Sequence, residues 1–364
     1  MLDGVLMRSP HALSMVVRRR KGSLVVRELA MPNVRTGWRA WPFVRGVLVL
    51  VEALRLSRLS LNFSIEILEQ DLEEEEREQE QARRAAQPPT SHLLSSLMLP
   101  WWQLFTSEPE LASGASAPQA AKAEKNKSFL LTLFSVLLPL GLYVAAPQAI
   151  AEGVSSLFDL KLDVRSPLFQ LITATAKVLL IVGVFSALRY SADMYRFLQC
   201  HGAEHKAIHT YEAGQALTVE NARKFPTLHP RCGTTFIVMV ALVSIAIFSL
   251  LGPFLPQLGL GKLADNVLFF LMKLPFLPLI VGVTFELQRL FARHFAAGPL
   301  RVLLWPGFLV QKITTIEPTD DQLEVALSAL LITLRVEQGE AVVSPVDATF
   351  PSYAALSEAP ARAA

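Results

Sequence analysis

Four of the chain's seven histidines fall between positions 201 and 229: His201, His205, His209 and His229. The same stretch holds Cys200, Glu204 and Glu212, with Cys232 just beyond it. Neutral imidazole is the commonest protein ligand for zinc and similar ions, so this crowding points to metal chemistry. Apart from Gly202, residues 200–212 have helical composition. On a helix His201, His205 and His209 share one stripe, joined at i+3 spacing by Glu204 and Glu212. His201 and His209 are nevertheless about 12 Å apart along the axis, whereas a zinc–nitrogen bond is about 2.0–2.1 Å. Only neighbouring pairs, 201 with 205 or 205 with 209, can share an ion.

The first pair reads His-x-x-Glu-His, in which two histidines hold the metal and Glu204 acts as general base for the water it activates. A third ligand has to come from elsewhere. Candidates are His229 or Cys232, in the segment 227–235, and Glu286. His209 and Glu212 are left for a second metal or for an outer role. Arg231 and His209 would position an anionic or carbonyl oxygen. Alternatively, Lys206, Arg231 and a helix N-terminus near Gly233 could hold a phosphate. His11, His92 and His294 stand alone and read as structural.

The elements that must carry these residues are largely apolar. Of 364 residues 52% are hydrophobic and 18% charged, and mean hydropathy is +0.38. A soluble domain carries about 25% charged residues, so the composition points to a multi-pass membrane protein with polar flanks. It excludes a collagen-like, wholly disordered or disulfide-stapled chain, since two cysteines make no framework. Four stretches approach the roughly 20 apolar residues that cross a bilayer: Phe129–Ile150, Leu168–Leu188, Thr235–Leu255 and Val267–Phe285. Lysine and arginine crowd the ends that place both termini and the histidine loop in the cytoplasm. There the two cysteines face a reducing compartment, and no stable disulfide is expected.

Around this core the reading is mainly α, with a small N-terminal β-hairpin or sheet. Residues 1–62 form a basic hairpin (strands at 4–8, 12–17 and 23–27) followed by an amphipathic helix that begins near Pro42. Residues 63–127 are an acidic arm and linker, with a short interfacial helix between His92 and Trp102. Residues 128–188 hold spans one and two, 189–234 the histidine loop, and 235–286 spans three and four. Residues 287–336 contain an amphipathic helix opened by a capping box at Thr319-Asp320-Asp321-Gln322, and 337–364 are a disordered tail. Residues 1–58 hold 11 lysines or arginines against three acids. That excess suits anionic lipid headgroups better than RNA, so the bilayer is the expected partner and no specific nucleic acid is. Homo-oligomerisation is left open.

Several ordered blocks, among them Gly4–Pro10, Arg45-Gly46-Val47 with Glu52, Gln199–His209, Leu228–Thr234 and Glu317–Glu324, together resemble the bacterial YqhQ-like family, catalogued as domain of unknown function 1385. The resemblance spans about residues 2–335. It implies a multi-pass membrane protein of a kind sometimes labelled predicted metal-dependent enzymes, with His201, Glu204, His205, His209, His229 and Cys232 on the family's histidine motif. The expectation is a zinc-dependent hydrolase at the cytoplasmic face of the bacterial inner membrane, its substrate open. The alternative is a non-enzymatic scaffold that recruits a cytoplasmic partner such as the ribosome or the translocation machinery.

Overall fold

The structure is a computed structural model. It describes residues 3–31, 37–86, 145–163, 166–251, 254, 256, 262–294, 299–341, 347–360 and 362–363. Contacts divide the chain into two units, residues 1–67 with 145–364, and residues 68–144. Every candidate functional residue belongs to the first. The described part of the second is the acidic end of one long helix, with an exposed Glu73–Arg77 pair at 3.2 Å.

Strands β1 (Gly4–Arg8), β2 (Ala12–Arg18) and β3 (Leu24–Ala30) form an antiparallel meander. Alternation along them sends Val5, Met7, Val16, Leu24 and Val26 to one face, and Met15, Val17 and Val25 to the other. Helix α1 (Val44–Ala86) covers the second face with Phe63 and Ile67. Its counterpart on the first face is α9 (Asp320–Glu337), through Leu323, Ala326, Leu327 and Leu330. Ser14, buried beneath α9, donates to the Ala329 carbonyl at 2.6 Å. The capping box is present, the Thr319 N–H donating to Gln322 Oε1 at 2.9 Å.

Between sheet and site runs α3 (Ala192–Glu212), whose Cys200, Ala203 and Ala207 enter the same core as α9. Short α4 (Val219–Arg223) follows. The apolar helices are α2 (Pro167–Leu188), α5 (Gly233–Leu251) and α7 (Leu277–His294), with α6 (Lys262–Lys273) leading into α7 through a 3₁₀ turn at Leu274–Phe276. Helix α8 (Trp305–Thr314) packs on α5, where Gly307 permits the approach: a Cβ there would lie 2.4 Å from Thr235 Cγ2.

Three helical stretches among the described residues are long and apolar enough to cross a membrane, not four: 167–188, 233–251 and 271–294. The expected first span lies mostly outside the described residues, and only its end is seen, within a helix over 145–157. The fourth is displaced toward the C-terminus, because Pro275 falls in the 3₁₀ turn and α7 restarts at Leu277 with Pro278 in its first turn, where the missing N–H is tolerated. The expected interfacial helix at 92–102 and the linker at 106–127 lie outside the described residues.

The tail expected to be disordered departs from that reading. Gly339, at φ 82°, turns the chain back after α9. Beyond it, β4 (Glu340–Ala341) pairs with β6 (Arg362–Ala363), and β5 (Ala348–Phe350) adds to β3 as the fourth strand of the main sheet. Within α10 (Tyr353–Ser357), Leu356 is fully buried. Composition concealed this, because the segment's few apolar residues suffice once a sheet edge is waiting for them.

Candidate metal centre

Helix α3 presents the histidine stripe as its spacing requires. Gly202 lets the helix lie against the strand-like segment after α8, since a Cβ there would meet the Ile316 carbonyl oxygen at 2.1 Å. The same approach allows the Ile316 N–H to donate to the Leu198 carbonyl at 3.1 Å. Residues 227–232, immediately before α5, run along the other side of the stripe.

The histidines divide into two groups. In the first, one donor atom from each of His201, His205 and Cys232 lies within 4.8 Å of the other two. The Cys232 Sγ is 3.2 Å from His201 Nε2, and the His201 and His205 ring centroids are 4.6 Å apart. Each ring has its Nδ1 engaged by a main-chain carbonyl, His201 with Thr314 at 2.9 Å and His205 with Thr227. A carbonyl can only accept, so both Nδ1 atoms carry the proton and both Nε2 lone pairs remain for another partner. Ligating histidines are held in this manner in metal sites. Tetrahedral donors around an ion stand roughly 3.3–3.8 Å apart at bond lengths of about 2.0–2.3 Å, so only a small contraction is needed. The residues fit a divalent ion.

The second group is His209, Glu212 and His229, again with donor atoms within 4.8 Å. His229 thus sits beside His209, ring centroids 4.8 Å apart, and not in the first group. Burial, together with His209 and His205 and against the pull of Glu212, pushes the His229 imidazole down to about 4. It is neutral at ordinary pH.

Glu204 faces a cavity of about 830 Å³ together with His201. Burial pushes its carboxyl above the usual carboxylate range, against the pull of His201. The cavity wall is largely apolar, with Val49, Ala53 and Leu56 from α1, Phe185 at the end of α2 and Phe197 from α3, plus the Arg8–Glu52 ion pair.

Three sequence candidates lie elsewhere or face outward. Glu286 is held by Arg45, whose Nε donates at 2.6 Å. Lys206, although buried, donates to the Arg223 carbonyl at 3.1 Å and pairs with Glu317. Arg231 is largely exposed and reaches Glu212 Oε1 at 3.1 Å. Cys200 faces the core, and burial followed by Asp3 pushes its thiol up to about 12. Both cysteines are free.

Two glutamines were missed. Gln311, fully buried, brackets His229: its Oε1 accepts the His229 N–H and its Nε2 donates to the His229 carbonyl, each at 2.8 Å. Gln288 donates to the carbonyls of Cys232 at 3.1 Å and Pro230 at 3.3 Å. The available signal was a lone amide in an apolar helix, a group that must find partners when buried.

Residues 41–335 match the family described as Protein of unknown function (DUF1385). The chain belongs to this family. It is also 27% identical over 339 residues to the Uncharacterized protein YqhQ of Bacillus subtilis (strain 168), covering 92% of this chain and 91% of that protein. No solved structure matches. The matched region contains both histidine groups, the cavity residues from α1, and α9 up to Arg335.

Proposed function

We propose that the protein is a metal-dependent hydrolase at the cytoplasmic face of the bacterial inner membrane. His201, His205 and Cys232 would hold zinc or a similar divalent ion. The observation that carries this reading is the convergence of two imidazoles and a thiol with the outer hydrogen bonds of both rings already made. When bound, the ion supplies a Lewis acid that polarises a carbonyl or phosphoryl oxygen and brings the acidity of water toward neutrality.

Glu204, its carboxyl held above the usual range at the cavity wall, takes a proton from the attacking water and returns it to the leaving group. The Thr314 and Thr227 carbonyls fix ring orientation, so little reorganisation remains when substrate arrives. The substrate would be an amphiphile. Its apolar part lies among Val49, Ala53, Leu56 and Phe197, and its scissile group lies at His201. The volume is in the range of small-molecule sites, about 300–1,000 Å³.

Placement in a membrane is supported by the outward faces of the apolar helices, where Leu179 and Val184 on α2 and Leu250 on α5 are more than half exposed. Lysine and arginine asymmetry supports the cytoplasmic side for the site. The scaffold alternative draws on the basic N-terminus and the acidic arm. Arg8, Arg18, Arg27 and Arg45 of the N-terminus are engaged by Glu52, Glu324, Asp347 and Glu286 within the protein, which weakens it.

The test is turnover of a series of p-nitrophenyl acyl esters in detergent micelles by zinc-loaded wild type and Glu204→Gln. The expected result is hydrolysis that rises with chain length and falls at least 100-fold in the variant, with metal content unchanged. Turnover equal in both proteins would overturn the assignment of Glu204.

A further inference from the structure

We propose that His209, Glu212 and His229 form a second divalent-cation site, distinct from the His201–His205–Cys232 centre and with a two-nitrogen, one-oxygen donor set. The inference extends the metal reading above and does not depend on hydrolysis being the reaction.

His209 and Glu212 each keep a lone pair after their protein hydrogen bonds are counted, and His229 presents a ring nitrogen whose proton an ion can displace. His209 Nε2 lies 2.9 Å from the Leu228 carbonyl, which can only accept, so Nδ1 carries the lone pair. His229 is fixed through its main chain by Gln311, and its Nδ1 accepts the Arg231 N–H at 3.3 Å, so in the neutral ring Nε2 carries the proton that a bound ion would displace. Its Nε2 is thereby turned toward Glu212 Oε2, at 3.4 Å. Without an ion this is a long hydrogen bond from the imidazole N–H to the carboxylate. The same spacing suits two ligands of one ion once that proton is displaced, by the tetrahedral geometry given above. The other carboxylate oxygen accepts from Arg231 Nη1 at 3.1 Å, which orients Glu212.

The two centres are neighbours with separate ligands. His205 and His229 face each other with ring centroids 5.6 Å apart, and no ligand is shared. The first opens through His201 to the apolar cavity, whereas the second opens past half-exposed Glu212. Imidazole with carboxylate suits zinc and comparable borderline ions, while the first centre is made softer by its thiolate.

The experiment is a cobalt(II) titration of the full-length protein in detergent, followed by bound-metal stoichiometry and by near-ultraviolet absorption, where a thiolate ligand gives a charge-transfer band. Wild type should bind two ions, only one of them adding to the band. Glu212→Gln, at a position whose side chain is 36% exposed, should weaken the second ion at least 10-fold and leave the band intact. His209→Ala should remove the second ion. Conversely, Cys232→Ala should abolish the band and keep the second ion. A single ion that carries the band and ignores Glu212→Gln would overturn this proposal alone. No bound ion would overturn both metal readings.

Discussion

Cys232 and His201 meet at 3.2 Å, Sγ to Nε2, across 31 residues of chain. The contact joins the residue before α5 to the middle of α3, and Cys232 Sγ also lies 3.1 Å from Thr234 Oγ1. Gln288 ties the Cys232 carbonyl at 3.1 Å, and Thr314 ties the His201 ring at 2.9 Å. Site geometry is therefore held by α7 and α8 as well as by the two segments that supply the ligands.

Gln311→Ala should destabilise the protein by about 2–4 kcal/mol, because it strips partners from a buried N–H and a buried carbonyl of His229 together. Thermal unfolding of the detergent-solubilised protein measures this.

Gly202→Ala should cost about 1–3 kcal/mol or more through overpacking, since its Cβ lies 2.1 Å from the Ile316 oxygen and backbone must move. The displaced segment carries Thr314, so the imidazole it orients loses its support. Disturbing such an outer partner typically weakens metal binding 10–100-fold. Zinc competition against a chromogenic chelator reads the second effect.

The pH dependence follows from His229. Its imidazole titrates at about 4 in the folded protein, against 6.5 as the ordinary value. Between those values the unfolded chain binds more protons than the folded one, so stability rises with pH through this window and is fully present above it. Melting temperature in a chelating buffer should climb between pH 4 and 6.5 and then level. His229→Gln should flatten the slope.

The Arg45–Glu286 pair links α1 to α7, both side chains being about a quarter exposed. Arg45→Ala and Glu286→Ala should each destabilise, and the double-mutant cycle should return a coupling of about 0.5–3 kcal/mol. Additive effects would mean the contact contributes nothing.

Much of this arrangement was legible in the letters. The short apolar run Val5-Leu6-Met7 between Gly4 and Arg8 reads as a strand, and continuous helical composition from Val44 onward marks α1. The interval of four between His201 and His205 limited any shared ion to neighbouring rings, which the two groups respect. What could not be read was the division itself. Whether His229 or Cys232 faces His205 depends on how residues 227–232 thread beside α3, and that path is set by Gln311 and Gln288, which are distant in sequence. Glu286 looked available because it leaves an apolar helix on the expected side. Its partner, Arg45, is 241 residues away, a pairing that only the packing of α1 reveals. The tail was misread for the same reason, its order being supplied by the exposed edge of β3.

The most direct measurement is elemental analysis of the purified full-length protein beside the His201→Ala, His205→Ala double variant, with zinc present during purification. The account predicts tightly held metal in wild type and loss of at least one equivalent in the variant while the melt remains cooperative. Equal metal content in the two proteins, or none in either, would contradict it.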